Sequence, residues 1–182
     1  MKYYYFHGYK SSPMAEKANA MRQILGHDNV SVPDFNLSAE EISDLFDSLC
    51  DEISSSKEEV CIVGSSLGGL FALYVASRAK CNVILLNPAL IPIVIIPKVT
   101  DNIDVNAVVM VQKLSLYAYE HYEADKTSVW VTDDSLINHD DLTKPYFYKG
   151  VKEYKKFDKS IAFEHQFIGF KDVFEKYIQN NS

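Results

Sequence analysis

The sequence predicts an α/β domain built on a mostly parallel central sheet of about six strands flanked by helices, and three observations carry that prediction. Six short apolar runs, several rich in β-branched or aromatic residues, recur along the chain, as strands buried on both faces do. Amphipathic stretches lie between them, long enough to carry a crossover helix over the sheet. The 182 residues fit one domain, 1–182, and 47% apolar with 24% charged residues is a globular composition.

The strand runs are Tyr3–Phe6, Val30–Val32, Val60–Val63, Val83–Leu86, Val129–Val131 and Ser160–Phe163. A helix is expected from Pro13. A stronger helix signal follows the second run, where Ile42, Leu45, Phe46, Leu49 and Ile53 share one face. Ser38 and Glu41 form a capping box before it, each satisfying an orphan backbone N–H. A third helix is expected from Ser66, and a last one over Phe170–Ile178, where Val173, Phe174, Tyr177 and Ile178 share a face. Between the fourth and fifth runs lies an insertion, 88–126, with the apolar segment LIPIVIIP and a helical pattern around Val108, Val111, Leu114 and Leu116. It reads equally as a lid or pocket wall and as plain cover for the sheet.

Composition excludes several classes. A net charge of −7 gives no electrostatic reason to approach nucleic acid or anionic lipid. Cys50, Cys61 and Cys81 are odd in number and lack CxxC spacing, against a disulfide framework or a zinc knuckle. The N-terminal apolar run stops at His7, far short of a secretory core. Ala89–Pro97 is about half of what a bilayer span needs. A cytoplasmic setting without membrane insertion is the expectation.

In parallel sheets, ligands sit beyond the carboxyl ends of the strands. The residues there are His7-Gly8-Tyr9, Gly64 to Gly69, Thr132-Asp133-Asp134 and Glu164-His165. They supply every group that a serine hydrolase requires. VCIVGSSLGGL places G-x-S-x-G, Gly64 to Gly68, between a strand run and a helical stretch, the context of a nucleophile elbow. Ser66 is its central residue, and choosing Ser65 instead would put the glycines out of register. A P-loop needs a lysine after its last glycine, where Leu70 stands. Oxyanion donors are expected from the backbone N–H groups of Leu67 and Tyr9. The His7 side chain reads as a satisfied strand-end group.

The order Ser…Asp…His requires an acid at Asp133 or Asp134 and a base beyond them. His139 lies on the loop that carries the acid and reads as a solvated residue. His165 follows a separate strand run, and a triad draws its members from different strand ends, which favours His165. Tyr117, Tyr119 and Tyr122 read as packing, and Asp140, Asp141, Lys152, Lys155 and Lys156 as solvated surface.

Taken together, FHGYKSSP, VGSSLGG, LNPAL, TDDSLI and EHQFIGF resemble the small bacterial YqiA-like esterases of the α/β-hydrolase superfamily over nearly the whole chain. The resemblance implies a compact α/β-hydrolase fold and an esterase acting on small-molecule acyl esters. It maps the nucleophile onto Ser66 and the HG turn onto His7-Gly8. The family's T-G-D motif matches at Thr132 and Asp134, with Asp133 in place of glycine, so Asp134 is the expected acid and Asp133 its rival. The late histidine matches His165, followed by Phe167, Gly169 and Phe170. Asn87-Pro88 matches too and reads as structural loop chemistry. Leu90, Ile93 and Ile95 are the expected acyl contacts, and no cofactor or metal is implied. A thioesterase uses the same parts, and a non-catalytic binding protein would keep the scaffold without turnover.

Overall fold

A computed structural model describes residues 1–101, 104–158, 162–163 and 165–181. Its centre is a six-stranded parallel sheet in the order β2-β1-β3-β4-β5-β6. The strands are β1 (Lys2–Phe6), β2 (Val30–Ser31), β3 (Val60–Ser65), β4 (Asn82–Leu86), β5 (Thr127–Val131) and β6 (Glu153–Lys156). The helices are α1 (Glu16–Leu25), α2 (Ala39–Ser54), α3 (Leu67–Ala79), α4 (Pro92–Val99), α5 (Val105–His121), α6 (Lys144–Phe147) and α7 (Phe170–Asn181).

Alternate side chains along each strand enter two cores. Tyr4, Phe6, Ile62, Leu85, Val129 and Val131 face α2, α3 and α5 through Phe46, Phe71 and Leu114. Tyr3, Tyr5, Val63, Ile84, Leu86 and Trp130 face α1 and α7 through Met21, Phe170 and Phe174. Burial on both faces is why the strands read as unbroken apolar runs. The capping box of α2 forms as expected: Ser38 Oγ accepts from the Glu41 N–H, and the Glu41 carboxylate accepts from the Ser38 N–H at 2.8 Å.

One strand assignment is corrected. Of the expected run Ser160–Phe163, Ala162 and Phe163 form β7 (Ala162–Phe163), which pairs antiparallel with β8 (Gln166–Phe167) outside the central sheet. Ser160, Ile161 and Glu164 lie outside the described residues. The sixth sheet strand is β6, with the sequence EYKK. It lies at the sheet edge with β5 as its neighbour, and solvated edge strands favour charged side chains over an apolar run. Among the described residues, no helix is long and apolar enough to cross a membrane.

Candidate active site

The turn from β3 into α3 holds Ser66 at φ 56°, ψ −123°. Non-glycine residues persist at positive φ only where their surroundings enforce it. Here the Ser66 N–H donates to the Leu86 carbonyl at 3.1 Å, and the Ser66 carbonyl accepts from Gly69 and Ala89, each at 2.9 Å. A Cβ on Gly68 would run into the carbonyls of Phe6 and His7, so the start of α3 is pressed against the end of β1. Gly8 is similarly close: a Cβ there would lie 3.2 Å from Ser66 Cβ.

The Ser66 hydroxyl lies 2.7 Å from His165 Nε2, and His165 Nδ1 lies 2.6 Å from Asp134 Oδ2. A carboxylate only accepts, so the proton of a neutral His165 sits on Nδ1 and Nε2 is free to accept from Ser66. The Asp134 side chain is fully shielded from solvent, whereas that of His165 is 20% exposed. Asp134 Oδ1 accepts from the backbone N–H groups of Leu136 at 2.8 Å and Ile137 at 3.2 Å. Burial alone would push this carboxyl up. The hydrogen bonds from His139 and His165, the charge of His165 and the Leu136 N–H outweigh it and hold the group well below the usual carboxylate range. Asp133 is exposed and pairs with Lys156 at 3.3 Å. The Ser65 side chain lies beside the buried Tyr5 hydroxyl.

One neighbour was not legible as such. His139, expected to be solvated, is buried, with Nε2 3.3 Å from Asp134 Oδ2 and Nδ1 3.2 Å from the Tyr148 hydroxyl. Asn87, at φ 41°, ties three strand ends together. Its amide donates to Thr132 Oγ1 at 2.8 Å and to the His165 carbonyl at 3.4 Å, while its Oδ1 accepts from the Thr132 N–H at 2.8 Å. The sequence signal was LNPAL, with an Asn directly after a strand run. His7 is buried as expected of a satisfied group, with Nδ1–H donating to the Gly8 carbonyl at 3.1 Å and Nε2 accepting from the Phe35 N–H at 3.4 Å. That anchors the loop carrying Tyr9.

Ser66, Leu67, Tyr9 and His165 open onto a cavity of about 350 Å³. Its far walls are mostly apolar, with Pro92, Ile95, Ile96 and Val99 from α4, Ala107, Val108 and Val111 from α5, and Leu136, but Thr100 and Asp104 also line it. The Leu67 N–H belongs to the first turn of α3, where amides lack intrahelical acceptors. Of the three expected acyl contacts, Ile95 lines this cavity. Leu90 is corrected to the core, where its carbonyl accepts from Ser115 Oγ at 2.6 Å. Ile93 is corrected to the outer surface, at 59% exposure. A helix turns about 200° over two residues, so Ile93 and Ile95 cannot face the same way. Among the described residues, no group of three or more His, Cys, Asp or Glu is arranged to hold a metal ion.

The fold is that of the α/β-hydrolases. Est1E from Butyrivibrio proteoclasticus superimposes with a TM-score of 0.69 at 16% identity, covering 98% of this chain and 85% of that one. The capsule O-acetyltransferase of Neisseria meningitidis serogroup A gives 0.68 at 16% identity, with 98% and 87% covered. The monoacylglycerol lipase of Paleococcus ferrophilus gives 0.62 at 15% identity, with 99% and 94% covered. No curated protein sequence matches the chain significantly. The family described as "Uncharacterised protein family (UPF0227)", the YqiA family, matches residues 2–179, and the chain belongs to it.

Proposed function

We propose that this chain is a serine esterase that cleaves small acyl esters through an acyl-serine intermediate. The observation that carries the reading is the hydrogen-bonded line Ser66–His165–Asp134 at the mouth of an apolar cavity. Ser66 Oγ attacks the ester carbonyl while His165 Nε2 takes the hydroxyl proton, and Asp134 steadies the imidazolium that forms. The oxyanion is held by the amides of Leu67 and Tyr9. His165 then gives its proton to the leaving alkoxide, and the C–O bond to the alcohol breaks. Water, deprotonated by the same nitrogen, releases the acid and restores Ser66. The names of the structural neighbours, an esterase and a lipase among them, agree with this class of chemistry.

The acyl group belongs in the cavity between α4 and α5, so the insertion 88–126 serves as a pocket wall within a single domain, 1–182. A reducing, cytoplasmic setting is supported by three thiols that remain unpaired. The test is active-serine labelling by a fluorophosphonate together with a hydrolysis screen over esters and thioesters of graded chain length. Wild-type protein should label and turn over an ester, and Ser66→Ala should do neither. A protein that keeps both activities after Ser66→Ala refutes the proposal.

A further inference from the structure

The Asp134 carboxylate serves two histidines, and the second has no part in the mechanism above. His165 Nδ1 and His139 Nε2 approach the same oxygen, Oδ2, at 2.6 and 3.3 Å. Because that oxygen only accepts, each ring must present an N–H to it, through opposite ring nitrogens. A neutral His139 is then left with a bare Nδ1, and the Tyr148 hydroxyl at 3.2 Å is placed to donate to it. Burial raises the Tyr148 phenol well above its ordinary range, so it remains a donor. The chain Tyr148 O–H to His139 to Asp134 is directional and shielded from water, with His139 at 4% and Tyr148 at 6% exposure.

We propose that His139 is a positioning residue for Asp134: by occupying part of Oδ2 it fixes the carboxylate and sets the pH at which His165 takes up its proton. The inference rests on the reading of Ser66, His165 and Asp134 as a triad. An oxygen that accepts two hydrogen bonds has less negative charge to offer either donor. With His139 gone, Oδ2 would act on His165 alone, and the imidazolium would become more stable.

The other charged and titratable groups on this side have partners, among them Asp104, which lines the cavity that His165 opens onto and accepts from the Asn106 N–H at 2.9 Å. Asp133 meets Lys156 at 3.3 Å, and Asp140 meets Lys156 at 2.8 Å and Lys144 at 3.6 Å. Tyr154 of β6 packs its ring on Tyr148 and donates to Asp140 at 3.2 Å. The Thr143 side chain is buried beside Tyr148. Among the described residues, His139 and His165 are the imidazoles that touch Asp134.

The experiment measures the second-order rate constant of fluorophosphonate labelling against pH, which needs no known substrate. In His139→Leu the acid limb should move to higher pH by about half a unit, a roughly threefold change in proton uptake, because a 3.3 Å contact is a weak donor. His139→Gln restores an N–H donor and should return the limb to its wild-type position. If His139→Leu labels along the wild-type limb, slowed only as its folded fraction falls, His139 is structural and the inference is overturned. Equal shifts in the Leu and Gln variants overturn it as well. Should the Leu variant fail to fold, Tyr148→Phe decides: removing the donor to Nδ1 makes the Nε2–H a weaker donor, so the limb moves up by less, and an unmoved limb overturns the proposal. A wild type that resists labelling at every pH, or a Ser66→Ala variant that labels equally fast, removes the triad reading and this inference with it. A labelled wild type with pH-invariant His139 and Tyr148 variants removes the inference alone.

Discussion

Asp134→Asn is the substitution whose outcome the geometry determines most fully. Four donors point at the carboxylate: the Leu136 and Ile137 amides at Oδ1, and the two imidazoles at Oδ2. An amide replaces one acceptor oxygen with an NH₂ group. Turned toward the backbone, that group leaves two buried N–H donors unsatisfied, at about 1–3 kcal/mol each, and a peptide cannot change its protonation. Turned toward the imidazoles, it meets rings that can adopt the other tautomer, so this orientation wins. His165 then carries its proton on Nε2, and no lone pair faces Ser66. The loss in kcat should be about 10³–10⁴-fold, as for the wrong-tautomer substitution in a serine protease triad. Stability should fall by only about 1–2 kcal/mol, since most contacts are re-formed. The assay is kcat on an ester from the hydrolysis screen, with urea unfolding followed through Trp130, the one tryptophan, which is fully buried in β5. If Asp134→Asn stays within tenfold of wild type while Asp133→Asn loses the activity, the reasoning is refuted.

The same carboxylate predicts an acid-linked loss of stability. Its folded-state pKa is depressed, so its contribution is complete above the ordinary value of about 3.9 and is lost as pH falls below it; unfolding midpoints of Asp134→Asn should be flatter over that window. Gly68→Ala should cost about 1–3 kcal/mol or more, because the added methyl meets backbone carbonyls of β1 rather than a yielding side chain; a wild-type midpoint would contradict the packing at the elbow. Acyl esters should gain about fourfold in kcat/KM per methylene, or about 0.8 kcal/mol, until the cavity fills. Ile95→Ala should move the optimum to longer chains, and Ile93→Ser should leave the profile in place. For the nucleophile, Ser65→Ala should still label with fluorophosphonate and Ser66→Ala should not; the reverse pattern would transfer the role to Ser65.

What the sequence could tell about this site depended on how local each signal was. The elbow was legible because its glycines answer contacts within a strand-to-helix turn, Gly68 against β1 above all. Four sheet strands, β1, β3, β4 and β5, were legible because burial on both faces leaves an apolar run, and the short edge strand β2 was legible from Val30 and Val32. The sixth was not, since β6 alternates Tyr154 with charged residues at the sheet edge and carries no apolar signature. What separates Asp134 from Asp133 in the fold is a pair of backbone donors two and three residues ahead of Asp134, at Leu136 and Ile137, which the residue types do not reveal. His139 escaped for a different reason. Its burial depends on Tyr148, which comes over it from beyond α6, and a histidine between Asn and Asp in sequence resembles a solvated loop residue.

The insertion 88–126 could be read from its sequence either as a wall or as cover; its two helices both line the cavity but are held to the body of the protein differently. On α5, Val111 and Leu114 belong to the core that α3 shares, and Ala118 is fully buried with them. Lifting α5 would expose several such side chains at about 1.5–3 kcal/mol each, a sum comparable to the stability of a whole domain. α4 is attached differently. Pro92 and Ile95 are its buried side chains, and Ile95 packs in a small cluster with Ala89 and Ile137. Lys98 Nζ adds a bond of 3.1 Å to the Leu136 carbonyl, on the loop that carries Asp134. Ile93 and Val94 face outward already and would lose little by moving. A displacement of α4, whose Ile96 also packs against the main core, would therefore break fewer buried contacts than a displacement of α5. Leu136 both lines the cavity and donates its N–H to Asp134, so a substitution that shifts its backbone should alter chain-length preference and carboxylate support together.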